Sequence, residues 1–389
     1  MPPDGGDVLA PYDAPMDADP VVPPPHVARP LRLLPFRGLS LAPRRIGAPS
    51  SVRAFTRPYR DVAERLDRWE RKGQLTRDAD PAVYLHEYTT GGMTVRGLVG
   101  ALDISRRAAG RADVAVLPHE GIHPAQVDEL AARMSEMEVN PAPILLVHRG
   151  PAAVRDLLDA VQQRPPLRAF TDRSDQQHRL WAITEPRELA VVEEALSGST
   201  ALIADGHHRY AAYLRMQHDD PRPATDAGLA MLVDQDDTPL YLGPIHRVLG
   251  GVSLEDLRRA AEAVGAHWTA SAARPAVAAL APDRLVVTDG TAWATLRLAV
   301  PADRVAVEVL HQSVLPALER PPARTTYHHA VEDALTDLGQ RPGSAVLTPA
   351  PEFGQVLATC RAERLLPEKA TSFQPKPNIG VLIRSLRDE

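Results

Sequence analysis

The chain reads as a mixed α/β protein of α+β character, and three observations predict this. Short Val-, Ile- and Leu-rich runs alternate with stretches at helical spacing from residue 31 to the end. The 389 residues are 44% hydrophobic and 24% charged, ordinary values for a globular protein that exclude wholesale disorder and coiled coil. No apolar run approaches the roughly 18 residues needed to cross a bilayer. The length suits one large or two average domains, and no internal repeat is visible.

Residues 1–29 carry Pro23, Pro24 and Pro25, five aspartates, and no basic residue before Arg29. Such a segment has too little apolar surface to offset its ordering entropy, so a disordered tail is expected, with folding starting near Leu31. Val62, Leu66 and Trp69 predict a helix over 59–72, stopped by Gly73. The runs AVYLHEYTT and MTVRGLVGALDI flank Gly91-Gly92 and predict a β-hairpin. ADVAVL predicts a short buried strand. Pro124 then opens a helix with Val127, Leu130, Met134 and Met137 on one face.

PILLVHR, HRLWAIT and TALIA predict further strands, with helices at 151–163 and 186–196 between them. After Gly250-Gly251 a second unit starts, its first helix capped by Ser253 with Asp256 three residues on. A hairpin around Gly290, helices at 308–318, 328–338 and 352–362, and strands at SAVLTP and GVLIRSL complete the reading. The expected organisation is a tail over 1–29, a first part over 30–250 and a second α/β part over 251–389.

A formal charge of -6 argues against a general affinity for nucleic acid or anionic membranes. Cys360 is the single cysteine, which excludes an intramolecular disulfide framework and an all-cysteine zinc site. No basic stretch followed by an apolar one opens the chain, so no secretory signal is read and a cytoplasmic protein is expected. Lysine occurs only at Lys72, Lys369 and Lys376.

The sharpest chemical feature is Asp205-Gly206-His207-His208-Arg209, where an apolar strand enters a tight turn and then a helix. That arrangement aims the free N–H groups of the first helical turn at the mouth of the turn. Asp205 suits a helix cap or a cation, Gly206 the tight turn, and His207, His208 and Arg209 add donors and positive charge. The plain alternative is that Asp205 only caps and Arg209 is a solvated surface residue.

Pro118-His119-Glu120 follows the ADVAVL strand, and a carboxylate at a strand end suits a general base or metal ligand as well as a solvated loop. Glu368-Lys369-Ala370-Thr371-Ser372 offers a lysine and two hydroxyls for phosphate oxygens, or an exposed loop. Fourteen histidines invite a metal reading, but no H-E-x-x-H spacing occurs. His328-His329 suits a polar helix face. Magnesium, held by oxygen ligands and substrate phosphates, leaves little trace in sequence. No G-x-x-x-x-G-K-[ST] loop is present, which excludes a P-loop NTPase, and G-x-S-x-G is absent as well.

The run ADGHHRYAA, preceded by LWAIT and followed by PIHRVL, VEVLHQSVL, AVEDAL, LLPEKATSFQPKP and GVLIRSL, resembles a widespread bacterial and archaeal family classed as a domain of unknown function. The resemblance covers about residues 31–387. Three shorter blocks, Pro118-His119-Glu120, Asp205 to Arg209 and Glu368 to Thr371, are similar in kind and order to those of free serine kinases of the ParB/sulfiredoxin-like superfamily. This resemblance implies a ParB/sulfiredoxin-like first part and a second part contributing a phosphate-binding loop.

It also implies roles. Glu120 would be the base facing a serine hydroxyl, with Asp205 and His207 assisting in catalysis. Gly206, His208, Arg209, Lys369 and Thr371 would bind phosphate, and Glu120 and Asp205 would hold magnesium. The implied activity is a small-molecule phosphotransferase forming O-phosphoserine from L-serine, with ADP, ATP or pyrophosphate as donor. A weakened nucleotide- or phosphate-binding regulatory protein and a small-molecule phosphatase are the alternatives. The partner implied is a small molecule, neither nucleic acid nor membrane.

The related sulfiredoxins carry cysteine where His207 stands, and ParB proteins carry Gly-Glu-Arg-Arg with an added helix-turn-helix. Neither is found here. The chain also departs from relatives that show Pro-Pro-Tyr-Asp after the opening block, lysine and arginine after the His-Glu pair, and Lys-Ser-Thr in the late loop. It carries APRRIGAPSS, Ala125 to Glu129, and Lys369-Ala370-Thr371 instead.

Overall fold

The computed structural model describes residues 21–56 and 62–387. Strands and helices are mixed throughout, as the alternating pattern requires. Eight strands form the path of a large sheet, in the order 116–117, 201–205, 144–148, 227–234, 93–103, 83–90, 177–183 and 168–171, and a ninth at 33–34 pairs with 93–103. Two pairs in it are parallel, 116–117 with 201–202 and 144–148 with 230–234. The Gly91-Gly92 hairpin forms with Thr90 opposite Met93, and both glycines take positive φ, which a two-residue turn demands.

A second, wholly antiparallel sheet of six strands runs 267–271, 293–297, 284–288, 343–347, 246–250 and 324–328. Its helix Leu254–Ala263 opens with the expected capping box, in which the Ser253 hydroxyl donates to Asp256 and accepts from the Asp256 N–H.

The chain does not divide at 250/251 as expected. Strand His246–Gly250 already belongs to the smaller sheet. After residue 350 the chain returns to the larger core, where Val356, Cys360, Leu366, Phe373 and Ile383 are buried. Strand Ile383–Ser385 pairs with Gly38–Leu41 and Val139–Asn140, and Ser372–Gln374 pairs with Tyr241–Gly243.

The start of order is also earlier than expected. The tail over 1–20 lies outside the described residues, but residues 21–29 dock on the large body. Val22 bridges Ile122, Val27 and Ala28 are buried, and the Tyr210 hydroxyl accepts from the Val27 N–H and donates to the Pro25 carbonyl. Three other elements differ from the reading. Helix Val62–Arg71 forms, and a helix at Pro49–Thr56 precedes it. The expected helix over 328–338 is instead strand Arg324–His328 followed by helix Val331–Leu338, because Thr325, Thr326 and Tyr327 favour the extended edge position they fill. The 308–318 helix passes from an α turn through a π turn at Leu310–Val314 to a 3₁₀ turn containing Pro316, which lacks the N–H that α geometry needs.

Candidate active site

Strand Ala201–Asp205 ends at Gly206, whose φ of +95° turns the chain into helix His207–Asp219. A side chain at this angle would be strained, and an added Cβ would also lie 3.0 Å from the Arg209 guanidinium. Beside it, strand Val116–Leu117 runs parallel to Ala201–Leu202, so Pro118-His119-Glu120 emerges alongside the 205–209 turn. The late loop closes the third side: Leu366 donates its N–H to the His119 carbonyl at 2.8 Å, and Glu120 bridges Leu366.

The histidines bind these loops to one another. His207 Nε2 accepts from the His119 N–H at 3.3 Å, and His208 Nε2 accepts from the His123 N–H at 3.1 Å. His119 Nε2 lies 2.6 Å from the Thr371 hydroxyl. The rings of His119 and His207 meet edge-on at 4.5 Å, and those of His123 and His208 are stacked at 5.8 Å. Burial holds His207 well below its ordinary pKa, reinforced by His119 and His208, and burial brings His119 and His208 down to about 4. These imidazoles are neutral at pH 7. The positive charge expected from His207 and His208 is therefore absent: ring nitrogens that accept backbone hydrogen bonds, two of the three rings more than nine-tenths buried, cannot carry it.

Asp205 does not cap the helix. Its Oδ2 accepts from Arg209 and its Oδ1 from Lys376, both at 2.5 Å. Burial by itself would raise this carboxyl, but Arg209 and Lys376 hold it below the usual carboxylate range. The other terminal nitrogen of Arg209 donates to the Ala142 and Pro143 carbonyls. With both Asp205 oxygens facing cations, Asp205 and Glu120 do not fit a protein-held magnesium ion, and no cluster of three metal-ligating side chains occurs among the described residues.

Glu120 differs from Asp205. Burial pushes its carboxyl up to about 7; Lys369 and the Ala370 N–H oppose this, while Glu368 and Asp205 add to it. Its nearest basic atoms are His119 Nε2 at 3.9 Å and His207 Nδ1 at 4.0 Å. Lys369 is exposed at a φ of +56°, and among the described residues its ammonium makes no hydrogen bond or ion pair. A carboxyl titrating near neutrality thus stands beside an unpaired ammonium and the N-terminus of a helix, an arrangement suited to taking a proton while an anion is held.

Sequence reasoning missed two residues. Lys376 reaches Asp205 across 171 positions of chain. Arg247, from the smaller sheet, is wholly buried and donates to the carbonyls of Lys369 at 2.9 Å and Glu368 at 3.4 Å, while its Nε donates to His311. Its guanidinium lies 5.5 Å from the Tyr327 ring. PIHRVL carries Arg247 in a run that otherwise reads as an ordinary strand.

Fold and site together define a mixed α/β protein whose candidate centre is a strand–turn–helix corner closed by a returning loop. The chain belongs to the family described as protein of unknown function (DUF1015), whose model matches residues 38–319. No curated protein matches it. Among solved structures it is similar to a free serine kinase in complex with AMP, at 16% identity and a TM-score of 0.39, over 70% of this chain and 90% of that one. It is also similar to a conserved hypothetical protein from Pyrococcus furiosus, at 15% identity and a TM-score of 0.37, over 70% and 93%. A C-terminally truncated SbnI from Staphylococcus aureus shows 12% identity and a TM-score of 0.40, over 70% and 85%.

Proposed function

We propose that the chain is a small-molecule phosphotransferase that moves a phosphoryl group from ADP, ATP or pyrophosphate to the hydroxyl of free L-serine or a similar amino acid. The observation that carries this reading is Glu120, a carboxyl titrating near pH 7 next to the unpaired Lys369. Ionised Glu120 accepts the hydroxyl proton as the new O–P bond forms and the bond to the donor's leaving phosphate breaks. Such transfer asks for position and positive charge more than for covalent help. Lys369 and the free N–H groups at the start of helix His207–Asp219 supply the charge, and Thr371 adds a hydroxyl on the loop.

His207, His208 and Arg209 act here as positioning residues: the histidines fasten the 119–123 loop, and Arg209 with Lys376 fixes Asp205. The test is phosphoserine formation from serine with each donor in turn, with and without magnesium, on the wild type and on Glu120→Gln. Product in the first and its loss in the second is the expected result. No product from any donor overturns the reading, and donor-induced thermal stabilisation without product points to a regulatory binding protein instead.

A further inference from the structure

At the opposite end of the strands that deliver the site lies a cavity of about 270 Å³. Thr200 in its wall and Asp205 at the site are separated by five residues of extended chain, about 16 Å. The floor is apolar, formed by Val114, Leu117 and the buried thiol of Cys360. The rim is cationic: Arg29, Arg111 and Arg361 face a single acid, Glu363.

Two of these cations have capacity in reserve. Arg361 is exposed and, among the described residues, makes no hydrogen bond or ion pair. Arg29 donates through its terminal nitrogens to the Gly198 carbonyl and the Thr200 hydroxyl, but its buried Nε has no partner among the described residues. Among the described residues Arg111 pairs only with Glu363 at 3.2 Å, with both side chains more than half exposed, a contact of little strength. A buried N–H donor without an acceptor is costly, and clustered guanidiniums suit the oxygens of carboxylate or phosphate.

We propose that this cavity is a second binding site, separate from the Glu120 centre, for a small organic anion bearing a carboxylate or phosphate. Its volume falls just under that of drug-sized pockets, which limits the occupant to about the size of an amino acid. The apolar floor takes the body of the ligand and the arginines its charged end. Leu117 and Glu363 in the wall lie three residues from Glu120 and Leu366, so an occupant touches both segments that meet at the site.

Cys360, the only cysteine, gives a local reading. Its alkylation by iodoacetamide at pH 8 is followed by intact mass, with inorganic phosphate or malonate at 10 mM as separate arms. In the wild type and in Lys369→Ala, at least one anion should slow the reaction threefold or more, and the arm that does so names the headgroup. In the Arg111→Ala/Arg361→Ala double variant, the slowing should vanish. Equal rates with and without both anions in the wild type overturn the proposal. So does slowing that survives in the double variant, or slowing lost in Lys369→Ala, which would assign the anion to the other site. Calorimetric titration of the same three proteins reads binding without the thiol: heat lost only in the double variant supports the proposal, and heat unchanged there overturns it.

Discussion

The larger body and the smaller one each bury an arginine on a strand, Arg384 and Arg247, and the surroundings of the two differ. Arg384, in the large body, donates to Asn140 Oδ1 at 3.1 Å and to the carbonyls of Ala227 and Ala224 at 2.8 and 2.9 Å. All of these lie in its own core, where the guanidinium holds a corner of the fold. Arg247, in the small body, reaches out of its sheet to the carbonyls of Glu368 and Lys369, on the loop that faces Glu120. Burial brings Arg247 down to about 10, against the opposing pull of Tyr327 and Glu120. The same side chain in a similar state of burial thus serves as an internal brace in one region and as a joint between regions in the other. The proposed centre is a property of that joint, with its base on one body and the anchor of its lysine loop on the other.

The largest effect expected on this picture comes from the base itself. Glu120→Gln removes the proton acceptor and should lower the rate of phosphoserine formation by about 10²–10⁴-fold, read by product quantification at saturating donor. Its stability has a distinct signature. A carboxyl raised to about 7 in the fold penalises the folded state progressively as pH rises from about 4.5, and fully above 7. The variant should therefore melt above the wild type at pH 8, by up to the order of 3 kcal/mol, and match it at pH 4.

The pH profile is the next largest effect. Because Glu120 must be ionised to act, the rate should fall about tenfold per pH unit below 7 and level off above it, on the order of 100-fold lower at pH 5. Stability moves in the opposite sense for the histidines. His207, His119 and His208 are held neutral by the fold, so their contribution is full above the unfolded value near 6.5 and is lost as pH falls below it. Rates and melting curves collected across pH 5–8 separate the two. A flat rate profile removes Glu120 as the base.

Much of this was legible in the sequence, and the limits have physical causes. The strand–turn–helix at 201–209, the Gly91-Gly92 hairpin and the Ser253 cap are local, written in residues a few positions apart. Glu120 stood out as a carboxylate at a strand end. Residue type, however, does not give protonation state: His207 and His208 read as cations, and only their burial against loop N–H groups makes them neutral. Nor does it give partners at a distance. Lys376 meets Asp205, and Arg247 meets Lys369, through pairings that no local pattern encodes. The 21–29 segment reads as part of the tail because its prolines and the aspartates before it outweigh Val27 and Ala28 in composition, although those two side chains are buried and the Tyr210 hydroxyl and the Val22–Ile122 bridge help to hold it.

The smaller effects sharpen the contrast between the two arginines. Arg247→Met keeps the volume but leaves the carbonyls of Glu368 and Lys369 without their donor, so the loop loses its anchor. The rate should fall about tenfold, with a raised KM for donor, while the apparent pKa of the profile moves upward because the charge that favours ionised Glu120 is gone. Arg384→Met likewise leaves main-chain carbonyls, those of Ala227 and Ala224, without their donor, and should cost about 2–4 kcal/mol in denaturant melts. At a temperature where the variant remains folded, its rate and pH profile should be those of the wild type, because Asn140, Ala224 and Ala227, to which Arg384 donates, are not on the loops that carry Glu120 and Lys369. Should Arg384→Met shift the profile as Arg247→Met does, the joint between the bodies has no special standing, and both arginines act on the site only through general rigidity.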